Sequence, residues 1–360
     1  MAVLQKLKED YPWIETPLVV AAPMRLITLA ESVVEVTKAG GIAFLAAGTD
    51  PSDLPTHLQT ARDLLTKHSS PIPSRPNHLP FGIGFINWGC ELESCLPPIT
   101  QFRPSAVWFF APKSPSQLAQ WSHETRAASP GTRIWAQVGS VQEAMDALEA
   151  AKPDVLVVQG TDAGGHGLAR GAGIAVLVPE VCDAIDSYLA SRSGIARPAI
   201  IAAGGITEAR SAAAALVLGA HGVAMGTRFL ASPEVNISRG YRDEVLRARD
   251  GGQSTVRTKV YDRLRGTTGW AENYNGRGVW NRSFVDAESG MKESENKRLY
   301  EEEMLKGDGG WGLEGRMTTY AGTGVGMVKE VQGAGDIVRE VRDGMRRVLQ
   351  NVGRTEKGRL

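Results

Sequence analysis

At 360 residues, with 42% apolar and 22% charged residues, the chain has the make-up of an ordinary soluble globular protein of one large domain or two smaller ones. Its 40 basic residues cancel its 40 acidic ones, so no net field draws it to nucleic acid or to an anionic membrane. No apolar run reaches the roughly 18 residues of a membrane span, and the opening MAVLQKLKEDYPWIETP is charged too early for a secretory signal.

From the N-terminus onward, short apolar runs alternate with helix-like segments. The runs are PLVVAAP (Pro17–Pro23), GIAFLAAG (Gly41–Gly48), FGIGFI (Phe81–Ile86), AVWFFAP (Ala106–Pro112), RIWAQVG (Arg133–Gly139), VLVVQG (Val155–Gly160), AIIAAGG (Ala199–Gly205) and GVAMGT (Gly222–Thr227). Most are continuously apolar rather than alternating, as suits strands covered on both faces of a parallel sheet or barrel. Between them, Thr28-x-x-Glu31, Ser114-x-x-Gln117 and Ser140-x-x-Glu143 each fit a capping box. SVQEAMDALEAAK and TEARSAAAALVLGA read as amphipathic and Ala-rich helices. Eight such units over about 220 residues predict an α/β fold, a (β/α)₈ barrel. An open doubly wound sheet shares much of the rhythm, but the count of eight favours the barrel.

After about Val235 the character changes. RGYRDEVLRARDGG and ENKRLYEEEMLKG are charged and helical, and Trp270, Trp280 and Trp311 lie in irregular, Gly-rich sequence. The expected organisation is a barrel over 15–235, a largely helical, substrate-side lobe over 236–320, and a closing segment over 321–353. In that segment AGDIVREVRDGMRRVLQNV forms a helix returning to the barrel. KHSSPIPSRPNHLP is a surface loop. The three cysteines (Cys90, Cys95, Cys182) have no metal-ligand spacing and read as reduced structural thiols, and no metal site is expected.

In such a barrel the active site lies where the strands end. The ends of the seventh and eighth runs, Gly204-Gly205 and Gly226-Thr227, form the pair that commonly holds a phosphate, with backbone amides aimed at one anion. No Walker A loop occurs, and no G-x-G-x-x-G joins a strand to a helix. His166, in the loop GTDAGGHGLARG after the sixth run, faces the same mouth. An imidazole titrating near neutrality can take a proton from a carbon acid or hydrogen-bond an anionic substrate. Asp162, four residues earlier, either caps this loop or meets a ligand's ring nitrogen. His57, His68, His78, His123 and His221 read as structural.

Several segments together resemble the nitronate monooxygenase family, formerly called 2-nitropropane dioxygenases. They are AAPM (Ala21–Met24), AGGIAFLAAG, PFGIGF, QGTDAGGHG (Gln159–Gly167), IIAAGGI, GVAMGTRFLAS and the late YAGTGVGMVKEVQGAGDIV (Tyr320–Val338). The resemblance spans most of residues 17 to 350, weakly from about Ser238 to Met317. It implies an FMN-dependent barrel enzyme, with Ala22, Pro23 and Met24, Gln159, and Gly164 and Gly165 along the flavin. Gly204, Gly205, Met225, Gly226 and Thr227 are implied around its phosphate, and His166 acts on the substrate as the catalytic residue. The implied partners are a nitronate or similar carbanion and dioxygen, and the products are a carbonyl compound and nitrite. A branch with a similar loop implies an alternative, an FMN enoyl-thioester reductase using NAD(P)H. A flavin-binding scaffold without turnover is a third reading.

Three positions depart from the family pattern. Gly84 stands where an asparagine is usual, leaving a flavin contact missing or supplied by Asn87. Ala224 replaces a glutamine, and Arg25 follows APM where small residues are usual, pointing either to the pocket or outward. The chain is expected in the cytoplasm, since its final EKGRL only loosely resembles a peroxisomal tripeptide, and as a monomer or homodimer.

Overall fold

The computed structural model describes residues 2–67, 72–192 and 194–357. His68 and the last three residues, on which the peroxisomal comparison rests, lie outside them. Eight parallel strands close into a barrel: β1 (Leu18–Ala21), β2 (Ile42–Gly48), β3 (Leu79–Ile86), β4 (Pro104–Phe110), β5 (Arg133–Val138), β6 (Val155–Gln159), β8 (Ala199–Ala203) and β9 (Gly222–Met225). β1 pairs with β9 in the register Leu18↔Gly222 to Ala21↔Met225, which shuts the ring. Each strand matches one of the eight apolar runs.

Alternation within the runs divides two cores. Leu18 and Val20, Phe44, Trp108, Trp135, Val155 and Val157 fill the barrel interior, while Val19, Leu45, Ile83, Val107 and Val158 pack outward against helices. Continuous apolarity is therefore required, because both faces are dry. Inside, Phe44 meets Trp108 and Trp135 edge-on at 5.1 and 4.8 Å, contacts of about 0.5–1.5 kcal/mol each beyond simple burial. The residues after the helix Ala2–Asp10 close the bottom: Tyr11 is buried and its hydroxyl accepts from Trp135 Nε1 at 2.7 Å. His221 is structural there, its Nδ1 accepting from Ile200 N at 3.0 Å. The three cysteines are free and buried.

The closing helix, Ala334–Lys357, returns to the barrel and buries Ile337, Val338, Val341 and Met345 beside the helices Ala30–Lys38 and Ala209–Val217. Gly344 permits this approach, since a Cβ there would overlap that of Ala209. Among the described residues no helix is long and apolar enough to cross a membrane.

The segment between 236 and 320 carries the expected helices, including Arg239–Arg247 and Glu293–Met304, and also a small antiparallel sheet that the sequence reading lacks. Its strands are β10 (Thr255–Thr258), β11 (Tyr274–Val279) and β12 (Thr319–Tyr320), joined by β7 (Gly165–Leu168) from the His166 loop. TVRT, YNGRGV and GHGL lack the apolar alternation by which a strand is read. The pairing of β7 with β11 ties this lobe to the barrel mouth.

Candidate active site

A cavity of about 1080 Å³ opens at the C-terminal ends of the strands. Trp108 reaches it from the barrel interior, with its Nε1 donating to Gln137 Oε1 at 2.9 Å. Ala22, Pro23, Met24, Gln159, Gly164, Gly165, His166, Gly204, Gly205, Gly226 and Thr227 all line it. Of the residues implied along the flavin and its phosphate, Met225 does not: its side chain is buried in the outer core. Its carbonyl accepts from Ala22 N at 3.0 Å, linking the β9 and β1 ends.

The turn after β1 is built by Thr28. Its hydroxyl accepts from Met24 N and donates to the Ala22 carbonyl, both at 3.1 Å. The expected capping box at Thr28 is therefore absent, and Leu29 is the N-cap of the next helix, with no side-chain bond. The helix begins one residue later than the motif implies, and the Ala22 carbonyl takes the hydroxyl proton instead. Arg25 follows in exposed sequence, its side chain lying across Gly48 at the cavity rim. The other two caps form: Ser114 accepts from Gln117 N and Ser140 from Glu143 N.

Gly84 leaves room for Pro23, whose ring a Cβ at position 84 would overlap. Asn87 does not replace the missing asparagine at the cavity. It is wholly buried, with its Oδ1 accepting from Phe110 N at 2.9 Å, while Ile86 and Trp88 line the cavity on either side. Ala224 belongs to the interior core and leaves that part of the cavity apolar.

At the β8 and β9 ends, Gly204 and Gly205 hold φ of +108° and +74°, conformations that side chains resist. Among the described residues, no carbonyl or side chain accepts from the amides of Gly204, Gly205 or Gly226. Thr227 Oγ1 accepts from Gly322 N at 2.9 Å, which leaves its hydroxyl proton to donate.

The His166 loop is clamped from several sides. Asp162 takes the structural role: its Oδ1 accepts from Thr323 Oγ1 at 2.9 Å and its carbonyl from Thr323 N at 3.0 Å. Arg257 Nε and Arg277 Nε both donate to the Thr161 carbonyl, and Arg257 Nη2 donates to that of Ala163. Burial, reinforced by the nearby Arg277, holds the Arg257 guanidinium down to about 10. Gly164 packs its backbone directly on Ala321 and Gly322, where any Cβ would collide.

His166 itself is mostly buried, and its Nε2 stands 2.8 Å from Asp262 Oδ1. Trp270 stacks on the imidazole at 3.9 Å. The Tyr320 hydroxyl and Thr267 Oγ1 donate to the same Asp262 oxygen at 3.2 and 2.9 Å. Burial first, then the Asp262 charge, pushes the Tyr320 phenol well above its ordinary value, so it stays a donor. Sequence reasoning missed Asp262, Thr267 and Trp270. The one available signal was an acid in VYDRL, directly after the buried Tyr261 and two residues before the buried Leu264. Tyr320 did stand in a motif segment, without an assigned role. Farther out, Lys297, Tyr300 and Met304 of the lobe's last long helix line the mouth.

A family model described as nitronate monooxygenase matches residues 101–342. The nitronate monooxygenase npaC of Metarhizium robertsii is 49% identical over 353 residues, 97% of this chain and 96% of the relative. The nitronate monooxygenase of Neurospora crassa is 36% identical, covering 95% and 92%. Two solved structures share the fold: nitroalkane oxidase from Streptomyces ansochromogenes and FabK from Thermotoga maritima. The first has a TM-score of 0.72 at 22% identity, covering 96% of this chain and 99% of that one. The second has a TM-score of 0.73 at 21% identity, covering 99% of each. With most of its length matched in sequence and a histidine-bearing loop at the barrel mouth, the chain belongs to the nitronate monooxygenase family of oxidoreductases.

Proposed function

We propose that this chain binds FMN across the top of the barrel and oxidises alkyl nitronates with dioxygen, yielding a carbonyl compound and nitrite. The observation that carries the reading is one cavity that joins His166 to the glycine rims of β8 and β9. The residues fit the group. Gly204, Gly205 and Gly226 have amides with no acceptor of their own, and Thr227 has a hydroxyl proton to spare, a donor set suited to a phosphate. Gly165, at φ +69°, has nothing within 4 Å of where a Cβ would stand, so a flat ring can approach its backbone. Ala22, Pro23, Met24, Gln159 and Gly164 would line the ring. When bound, FMN supplies the electron chemistry, between a carbanion-like substrate and dioxygen.

The chain's own contribution is positioning and charge. With both ring nitrogens protonated, His166 offers a hydrogen bond to the anionic nitro group of a nitronate, and Trp270, Tyr320 and the lobe cover the imidazole.

The test is a visible absorption spectrum of the purified protein, recorded before and after anaerobic addition of a nitronate. A flavin spectrum that bleaches with nitronate supports the reading. Bleaching by NAD(P)H alone favours the enoyl-thioester reductase. A colourless protein that refuses added FMN ends both.

A further inference from the structure

His166 is held from three directions by groups that nitronate binding alone does not require. Its backbone pairs with Gly276 on β11, and its carbonyl accepts from Gln159 Nε2 at 3.1 Å. Trp270 covers one ring face. Asp262 takes the ring edge, and its Oδ1 also receives the Thr267 and Tyr320 hydroxyls. An oxygen accepting from two hydroxyls acts as an acceptor toward the third partner as well, so the ring proton belongs on Nε2. Nδ1 is then the basic nitrogen.

We propose that Asp262 is a positioning residue: it holds His166 in the Nε2–H tautomer, so that Nδ1 removes a proton from the carbon beside the nitro group of a neutral nitroalkane. This rests on the function proposed above, with a neutral nitroalkane as the source of the nitronate. In the step, the C–H bond breaks, its electron pair moves into the nitro group to form the nitronate, and the proton ends on Nδ1. The resulting imidazolium is stabilised through Nε2–H by the carboxylate. The other ionisable groups around the ring are Tyr320, Arg265 over the Tyr320 ring, Arg257 and Arg277 under the loop, and Tyr274 with Glu143 behind Trp270. Of these, Tyr320 alone bonds Asp262 and loses that acceptor when Asp262 is replaced, so the tautomer is read first in the wild type.

The test uses the protein as purified, with its six histidines labelled with ¹⁵N in the ring and the His166 signals assigned by their loss in His166→Gln. The expected wild-type spectrum shows Nε2 protonated and Nδ1 bare in the neutral ring. In Asp262→Leu, which offers the ring no acceptor, the neutral ring should lose its preference for the Nε2–H form. The kcat/KM for a nitroalkane should fall with it, by up to about 10²-fold, because less of the ring presents a bare Nδ1. A wild-type neutral ring protonated on Nδ1, or an unchanged tautomer preference in Asp262→Leu, overturns the proposal. The wild-type tautomer decides the matter even if the variant does not fold. A wild-type enzyme that consumes nitronates but no neutral nitroalkane also overturns it, while leaving the proposed function intact. Failure of nitronate to bleach the flavin strikes the function instead.

Discussion

Trp270 lies flat against His166, with ring centroids 3.9 Å and planes 7° apart. The indole is itself backed by Tyr274 at 6.0 Å and by Trp88 at 5.4 Å, so it cannot easily swing away. A stacked aromatic face restricts rotation of the imidazole. Such a contact is worth about 0.5–1.5 kcal/mol. Trp270→Leu should therefore keep FMN and lose up to about tenfold in kcat/KM with a neutral nitroalkane, whereas Trp270→Phe should lose much less. Steady-state kinetics on both variants decides it; equal activity in the two would remove the stack from the mechanism.

His166→Ala separates cofactor binding from catalysis. The side chain points at Asp262 and Trp270, while the glycine rims of β8 and β9 are built from other segments. Flavin occupancy, read by absorbance, should match wild type. Turnover of a neutral nitroalkane should drop by about 10²–10⁴-fold, the usual contribution of a general base. Undiminished turnover would take His166 out of the reaction.

Two rim glycines should respond differently to added bulk. Gly205 sits at φ +74° with Asp162 Cβ 3.0 Å from where its own Cβ would stand, so Gly205→Val strains the backbone by about 1–3 kcal/mol. That variant should lose both melting temperature and flavin. Gly226, at φ −112°, has only the Met24 side chain near its Cβ position, with Sδ at 3.5 Å. Gly226→Val should fold as the wild-type apoprotein does, yet hold FMN poorly, because the branched side chain enters the cavity beside Met24. Thermal melts paired with flavin content check this, and full occupancy in Gly226→Val would count against the phosphate cradle.

At the barrel's other end, His221 makes a pH prediction. Burial, aided by the Arg197 charge, lowers its pKa below the ordinary value. In the unfolded chain the imidazole gains its proton near pH 6.5; in the folded chain it does so only at lower pH. The unfolded state therefore binds more protons in that window, and stability present above about pH 6.5 is lost as pH falls. His221→Gln can still accept from Ile200 N and carries no charge. Between about pH 7.5 and 5.5, the melting temperature should fall more steeply in wild type than in this variant. Parallel curves would show that His221 does not contribute.

How legible the site was depended on which segments build it. The eight strands could be read because a barrel wall must be apolar on both faces, and Val155–Gln159 is apolar nearly throughout. His166 could be placed because it follows such a strand in a glycine-rich loop. Asp262, Thr267 and Trp270 reach it only through the pairing of β7 with β11, whose strands contain Gly165, Gly167, Asn275 and Arg277. Their backbones pair across the lobe without an apolar pattern to announce it. Thr28 shows the opposite failure: its local spacing fitted a cap, and the Ala22–Met24 turn claimed its hydroxyl.

Gly84 marks where this chain departs from the asparagine usual at the resembling position, and the structure supplies a steric reason. A Cβ there would overlap Cβ and Cγ of Pro23, which itself lines the cavity beside Met24. The glycine and the proline are thus one packing unit across β1 and β3. Gly84→Asn should not restore a flavin contact; it should overpack the rim, costing about 1–3 kcal/mol. Pairing it with Pro23→Gly removes both clashing carbons. The double variant should then be more stable than the sum of the single losses, because residues in contact couple by about 0.5–3 kcal/mol. Denaturation of the four apoproteins in the cycle measures this directly. Strict additivity would mean that Pro23 yields freely, and the departure at position 84 would need another cause.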